Sequence, residues 1–235
     1  MKNTLLILLL LTATLSWSQR EKIKGSGSTV NRTLEVASFT AVECNLYADV
    51  EITQGPNQKV TIEGQENIID KISTEVKENR WRIKLPKNTW GDYDKVKIKI
   101  TVPQLHGLGM AGSGSMKTTN TITSDDFQIG LSGSGKMDVS VNAENVDCGI
   151  SGSGNIHLTG KTNELSLGTS GSGDVMAKDM VAGKVKIGIS GSGDCEVNVS
   201  ESLEAGISGS GSVRYKGRPK VKSSISGSGS LNSID

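Results

Sequence analysis

Seven copies of a short Gly-Ser-Gly motif divide the second half of this chain at near-regular intervals. Their first glycines are Gly112, Gly133, Gly152, Gly171, Gly191, Gly209 and Gly227, spaced 21, 19, 19, 20, 18 and 18 residues apart. A flexible Gly/Ser linker keeps no such period and lacks the aliphatic residues that lie between these copies. A period near 20 residues matches one lap of a parallel β-helix.

Side-chain parity runs unbroken through the motif. In the set Val146, Cys148, Ile150, Gly152, Gly154, Ile156 and Leu158 every second residue is apolar or glycine. The alternate set is Asp147, Gly149, Ser151, Ser153, Asn155 and His157. The same phase recurs in Val185 to Val199 and in Leu203 to Tyr215. A period of two marks a strand with one buried face, and the three-and-four spacing of a helix is absent. The expected fold is therefore all-β, a parallel β-helix whose coils of about 18–21 residues are marked by S-G-S-G. The paired inward glycines mark bends or close backbone approach. Polar connections at Asn142–Asn145, Gly160–Asn163 and Ser200–Ser202 are expected to turn the chain. Laps ~4.8 Å apart would make six of them a rod section of about 30 Å.

Composition agrees with a thin core. Glycine supplies 29 of 235 residues and aromatics only 3%, so large rings cannot fill a wide interior. The formal net charge of +1 gives no global attraction to nucleic acid or an anionic membrane. Residues 1–19 read as a secretory signal peptide: Lys2, the apolar run Leu5–Leu11, then the cleavage zone Ser16–Gln19. That run is short of the roughly 20 apolar residues of a membrane span, and no later segment supplies one. No cysteine lies near the cleavage zone, which argues against a lipid anchor. Cys44, Cys148 and Cys195 are odd in number and irregular in spacing. Each keeps the parity of apolar neighbours, so they read as small buried hydrophobes rather than a disulfide framework or metal set.

Residues 30–110 lack the motif but still read as β. Expected strands are Thr33–Ser38, Ala41–Leu46, Val50–Gln54, Lys59–Glu63, Thr74–Lys77, Trp81–Leu85 and Val96–Val102. Gly55–Gln58 is a turn, Gln65–Ile72 a short helix or helical turn, and Trp90–Asp94 a loop. This half either forms irregular coils of the same tube or caps it. The repeat region is 111–235, and 30–230 could equally be one continuous domain.

No catalytic constellation emerges. The two histidines are His106, in a connection, and His157, on the outward parity of a strand. Gly112-Ser113-Gly114 and its copies are too short and repetitive for a hydrolase nucleophile elbow. Asp174 and Asp194, each following a motif, would neighbour one another on adjacent laps. Two carboxylates ~5 Å apart suit Ca²⁺, but solvated bend residues account for both more simply. They are the single slight metal candidate; no catalytic or cofactor-binding residue and no cofactor is assigned. Asn31-Arg32-Thr33 and Asn198-Val199-Ser200 are chance matches to a glycosylation sequon.

The signal peptide, Asp49-Val50-Glu51-Ile52-Thr53-Gln54-Gly55, Ile100-Thr101-Val102-Pro103 and the iterated Ile-Ser-Gly-Ser-Gly-Asp laps together resemble one family, the "putative auto-transporter adhesin, head GIN domain". The resemblance spans roughly residues 30–230 and rests chiefly on the laps. It implies a right-handed, pectin-lyase-like β-helix in exported proteins of Bacteroidetes-type bacteria, and an adhesion role without catalytic residues. The chain is thus expected in the periplasm or on the surface of a Gram-negative cell, as a structural or adhesion protein. Its polar outer face would meet an extracellular glycan, cell-wall component or protein. Homo-oligomers, side by side or end to end, are compatible with such a rod. The alternative is a polysaccharide lyase or hydrolase on the same tube, which would need convergent acids in a concave groove.

Overall fold

The computed structural model describes residues 21–87 and 89–234; the segment read as a signal peptide lies outside the described residues. Strand accounts for 70% of the described residues and helix for 2%, in a β-solenoid of about seven turns with irregular N-terminal strands. Among the described residues no helix is long and apolar enough to cross a membrane.

The repeat region is the regular part. After β10 (Gly107–Gly112) and β11 (Ser115–Thr118), the strands β12 (Ile122–Gly133), β13 (Lys136–Gly152), β14 (Asn155–Gly171), β15 (Asp174–Gly191) and β16 (Cys195–Gly209) each span most of a lap. β17 (Ser212–Lys216), β18 (Lys220–Gly227) and β19 (Ser230–Ser233) complete the series. All neighbours in this region pair in parallel, motif glycine against motif glycine: Gly133 with Gly152, Gly152 with Gly171, Gly171 with Gly191, Gly191 with Gly209. Inward residues stack in columns such as Ile129, Cys148, Leu167, Ile187 and Ala205, all buried. Each lap thus buries its apolar parity against the laps before and after it, the one way so thin a core can exclude water.

The motif glycines are demanded by the backbone. Gly152 has φ 127°, a region unfavourable to L side chains, and an added Cβ would sit 2.5 Å from the Gly133 carbonyl oxygen. A Cβ on the second glycine, Gly154, would reach 2.6 Å from both the Gly135 carbonyl and Leu131 Cδ2. The amides that follow the two glycines join laps, Ser153 N–H donating to the Gly133 carbonyl at 3.0 Å and Asn155 N–H to that of Gly135 at 3.1 Å.

Expected turns at 142–145, 160–163 and 200–202 are instead corners inside continuous strands. Asn142 pairs with Lys161 and Ala143 with Thr162 straight through the bend. The buried Thr162 hydroxyl lies 3.0 Å from the Glu144 carbonyl and 2.9 Å from that of Glu164, which gives this corner a local polar partner.

The N-terminal strands other than β1 (Glu21–Lys24) and β8 (Thr89–Asp92), which make a two-stranded sheet of their own, join the same sheet in an order the sequence does not follow. β3 (Ala41–Cys44) and β4 (Ala48–Gln54) pair in parallel with β10 and β11. The next layer comes from later residues, β7 (Arg80–Ile83) on β3 and β9 (Val96–Val102) on β4. β5 (Lys59–Gln65) returns antiparallel on β9, and β2 (Thr29–Thr33) antiparallel on β5. Helix α1 (Glu66–Ile69) and the following turn bury Ile68, Ile69 and Ile72. Phe39 and Trp81 pack at 5.5 Å between ring centroids.

Three local expectations change. No strand spans 33–38: β2 ends at Thr33, and the Gln58 amide replaces a neighbouring strand, donating to the Val36 carbonyl at 2.8 Å. Strand β6 (Val76–Lys77) is shorter than 74–77 and forms a hairpin with β7 through Glu78 and Asn79, at φ 52° and 57°. The expected loop 90–94 contains β8 (Thr89–Asp92), which pairs in parallel with β1 (Glu21–Lys24).

Candidate functional site: a glycine-floored groove

One outward column of the solenoid carries no side chains. Gly109, Gly130, Gly149, Gly168, Gly188 and Gly206 align lap on lap. At ~4.8 Å per lap the row is about 24 Å long. One wall is a ladder of hydroxyls, Ser132, Ser151, Ser170, Ser190, Ser208 and Ser226. The opposite wall, on the same strands, is Gln128, Asp147, Ser166, Lys186, Glu204 and Lys222. Four residues separate the walls, roughly 13 Å at ~3.3 Å each. The groove encloses about 1270 Å³. The Glu43–Arg82 ion pair (3.0 Å) continues the glycine column at the N-terminal end, and Ser224 follows Gly206 at the other.

These glycines differ from those of the motif. None of the six has a positive φ. A Cβ added at Gly130, Gly149, Gly168 or Gly188 would meet no atom within 4 Å. Neither conformation nor packing calls for glycine there, and in a strand interior glycine costs roughly 0.5–1 kcal/mol relative to alanine. Glycine in such a place suits close approach of a ligand to the backbone. The floor is then peptide planes and Cα methylenes whose N–H and C=O groups are engaged sideways in the sheet, an apolar surface edged with hydroxyls.

Other titratable groups lie elsewhere. The His106 ring Nδ1 is 2.8 Å from Ser124 Oγ, whose hydroxyl donates to the Asp126 carbonyl, so His106 is not poised to take its proton. His157 sits between Asp138 (3.7 Å) and Asp179 (3.4 Å) on neighbouring laps. Asp174 and Asp194 do meet across a lap, each serving the backbone: Asp194 N–H donates to Asp174 Oδ1 at 2.9 Å, and Ser212 N–H to Asp194 Oδ1 at 2.8 Å. Among the described residues no group of three or more His, Cys, Asp or Glu is placed to hold a metal. The three cysteines are free and buried; burial pushes the thiols of Cys44 and Cys195 up to about 11 and that of Cys148 higher still.

Beside the groove, and sharing Ser166 with it, lies a second hollow of about 470 Å³. Its rim carries Lys184, Lys186, Lys220 and Lys222 with Glu164 and Glu204. Lys184 is paired to Glu164 (3.1 Å) and Lys222 to Glu204 (2.9 Å). The Lys222 ammonium holds the Glu204 carboxyl below its ordinary range.

Sequence reasoning had drawn attention to the motif glycines and passed over the row three residues before them. The signal was present: Gly130, Gly149, Gly168, Gly188 and Gly206 fall on the polar parity, where a strand has no use for glycine.

A parallel β-solenoid with an outer groove defines the class, and comparison gives the family. The chain belongs to the family described as "putative auto-transporter adhesin, head GIN domain", whose model matches residues 38–219. A putative adhesin from Bacteroides fragilis is 28% identical with a TM-score of 0.85, over 90% of this chain and 100% of that one. A protein from Parabacteroides distasonis described as a putative lipid binding protein is 26% identical (TM-score 0.78, 92% and 100%). A putative adhesin from Parabacteroides merdae, 20% identical, shares the fold (TM-score 0.73, 91% and 99%). No curated protein sequence matches significantly.

Proposed function

We propose that this chain is an exported, non-catalytic adhesion module of the bacterial surface that lays an extended carbohydrate chain along the glycine floor. The observation that carries this reading is the run of outward glycines Gly130, Gly149, Gly168 and Gly188, which the fold itself does not require. A pyranose ring has a C–H face and hydroxyl edges, which suit an apolar floor between polar walls. The glycine floor and the serine wall repeat at each lap, so a chain of similar units running along the axis meets the same floor and the same hydroxyl edge at every step. An extended peptide repeats every two residues, about 6.7 Å, and falls out of step with ~4.8 Å laps.

Support for a binding rather than a catalytic role comes from the groove's acids. Glu43 and Asp147 are three laps apart, and Asp147 and Glu204 another three, about 14 Å between backbones in each case, beyond the roughly 5–9.5 Å of glycosidase carboxylate pairs. Glu43 is also engaged by Arg82.

A glycan array with a parallel degradation assay tests the reading. Binding without turnover, lost on filling the floor with Gly149→Leu and Gly168→Leu, is the expected result. Turnover of any bound polysaccharide overturns the non-catalytic role. Binding to phospholipid vesicles and to no glycan would replace carbohydrate by lipid, the ligand class in the description of the Parabacteroides distasonis neighbour.

A further inference from the structure

We infer that the lysine-rimmed hollow beside the groove receives carboxylate groups of the bound polysaccharide, so that the preferred ligand is a polyuronate rather than a neutral glycan. The inference rests on the carbohydrate reading of the groove and adds the charge of its ligand.

Placement supports it. Lys184, Ser202 and Lys220 occupy one outward column on three successive laps, and Lys186, Glu204 and Lys222 the next. The second column is itself the groove wall, so a substituent leaving the groove passes directly over it. Lys184 and Lys222 already have carboxylate partners. Among the described residues Lys186 and Lys220 make no salt bridge within 4 Å, although Lys186 stands beside Glu204 on the next lap and adds to the charge that Lys222 sets against it. They lie diagonally across the intervening lap, two laps and two residues apart, roughly 12 Å between backbones, with the half-buried Ser202 on one side of the diagonal and Glu204, paired to Lys222, on the other. A lysine side chain spans about half that distance, so both ammonium groups can converge above Ser202. Two cations and a hydroxyl are a receptor for an anion, and the lysine ammonium acts there as a point charge.

The rest of this wall has the opposite character. At the N-terminal end the same columns hold Asp126 and Asn145, Gln128 and Asp147. The lysines of this wall are therefore gathered on the last laps, where a carboxylate of the bound chain meets them; at the far end of the groove Arg80 continues the wall column, and Arg82 is paired with Glu43. A side-to-side second copy would have to cover the same lysines.

The experiment compares polygalacturonate with its fully methyl-esterified form, using the intact exported chain in calorimetry or affinity electrophoresis at low and moderate salt. The acid form should bind roughly three- to tenfold tighter, the range for two exposed charge contacts. The gap should shrink with salt. It should close in Lys186→Ser/Lys220→Ser and persist in Lys186→Arg/Lys220→Arg, while the esterified form binds all three proteins alike. Equal affinity for the two forms, or a gap that survives the serine variant, overturns the charge assignment and leaves the groove reading standing. Failure of both polymers, together with a silent glycan array, removes the groove reading and this inference with it.

Discussion

Gly149 and Gly168 stand side by side on adjacent laps of the groove floor, and a Cβ on either would meet no atom within 4 Å. Valine at both positions should stabilise the fold, by about 0.5–1 kcal/mol per site, because each strand loses a residue of low β propensity without any clash. Thermal or denaturant unfolding measures this directly. A loss of stability would show that these glycines serve the fold rather than a ligand.

The neighbouring motif glycine should behave in the opposite way. Gly152→Ala forces a Cβ to 2.5 Å from the Gly133 carbonyl at φ 127°. A cost of about 2–3 kcal/mol is expected, read as a lower midpoint in the same titration. Indifference at Gly152 would mean that the laps can separate without penalty.

Asp194→Ala leaves the Ser212 amide without its carboxylate acceptor. The expected cost is about 1–2 kcal/mol. Since the carboxylates of Asp174 and Asp194 already accept amides, millimolar calcium or a chelator should leave the melting temperature of the parent protein unchanged. A calcium-dependent rise lost in Asp194→Ala would assign the pair to the cation instead.

Alkali should weaken the fold through the buried thiols. Cys44 and Cys195 titrate near 11 in the folded chain against 9.0 when exposed, and Cys148 higher still. Above pH 9 the unfolded chain loses these protons while the folded chain keeps them. Stability from these groups is therefore full below about pH 9 and falls as pH rises towards 11, by at most about 1.4 kcal/mol per pH unit for each thiol. Chemical unfolding at pH 8 and pH 10 should show this slope, shallower in Cys44→Ala. An identical slope in the variant would remove Cys44 from the account, and an identical slope in the triple variant Cys44→Ala/Cys148→Ala/Cys195→Ala would trace the loss to other groups.

Excision of one whole lap, residues 155–173, joins Gly154 to Asp174 and restores the pairing of the preceding lap with the following one. Circular dichroism should show a folded, slightly less stable protein. Removing only 155–164 breaks the inward parity and should unfold it. Equal damage from both deletions would contradict lap-wise construction.

The repeat region was legible because Val146, Cys148 and Ile150 alternate with polar residues and the motif returns near every twentieth residue. Period and parity together fix a parallel tube. The N-terminal layers were not legible, because their pairing is long-range. Nothing local to Trp90–Asp94 announces that this segment lies beside Glu21–Lys24. Nor does the sequence of β3 and β4 reveal that β7 and β9, which come later in the chain, stack outside them. The corners were misread because Asn142 and Lys161 look like turn residues, yet both remain in the lap-to-lap ladder. The groove lay in a regularity of absence, small residues at the one outward position where bulk would be free.

Lap length varies, but the surplus is always absorbed in the same quarter. The ladder slips between His157 and Thr159, between Ala177 and Val181, and between Ala182 and Lys184, and then runs without a break from Lys184 to Gly191. Insertions therefore bulge out at a corner that lines neither hollow, while the floor stays ruled in equal divisions. A duplicated lap would extend that ruler by one division without redesigning any of the others, so grip on a polymer can be lengthened or shortened by copying whole units.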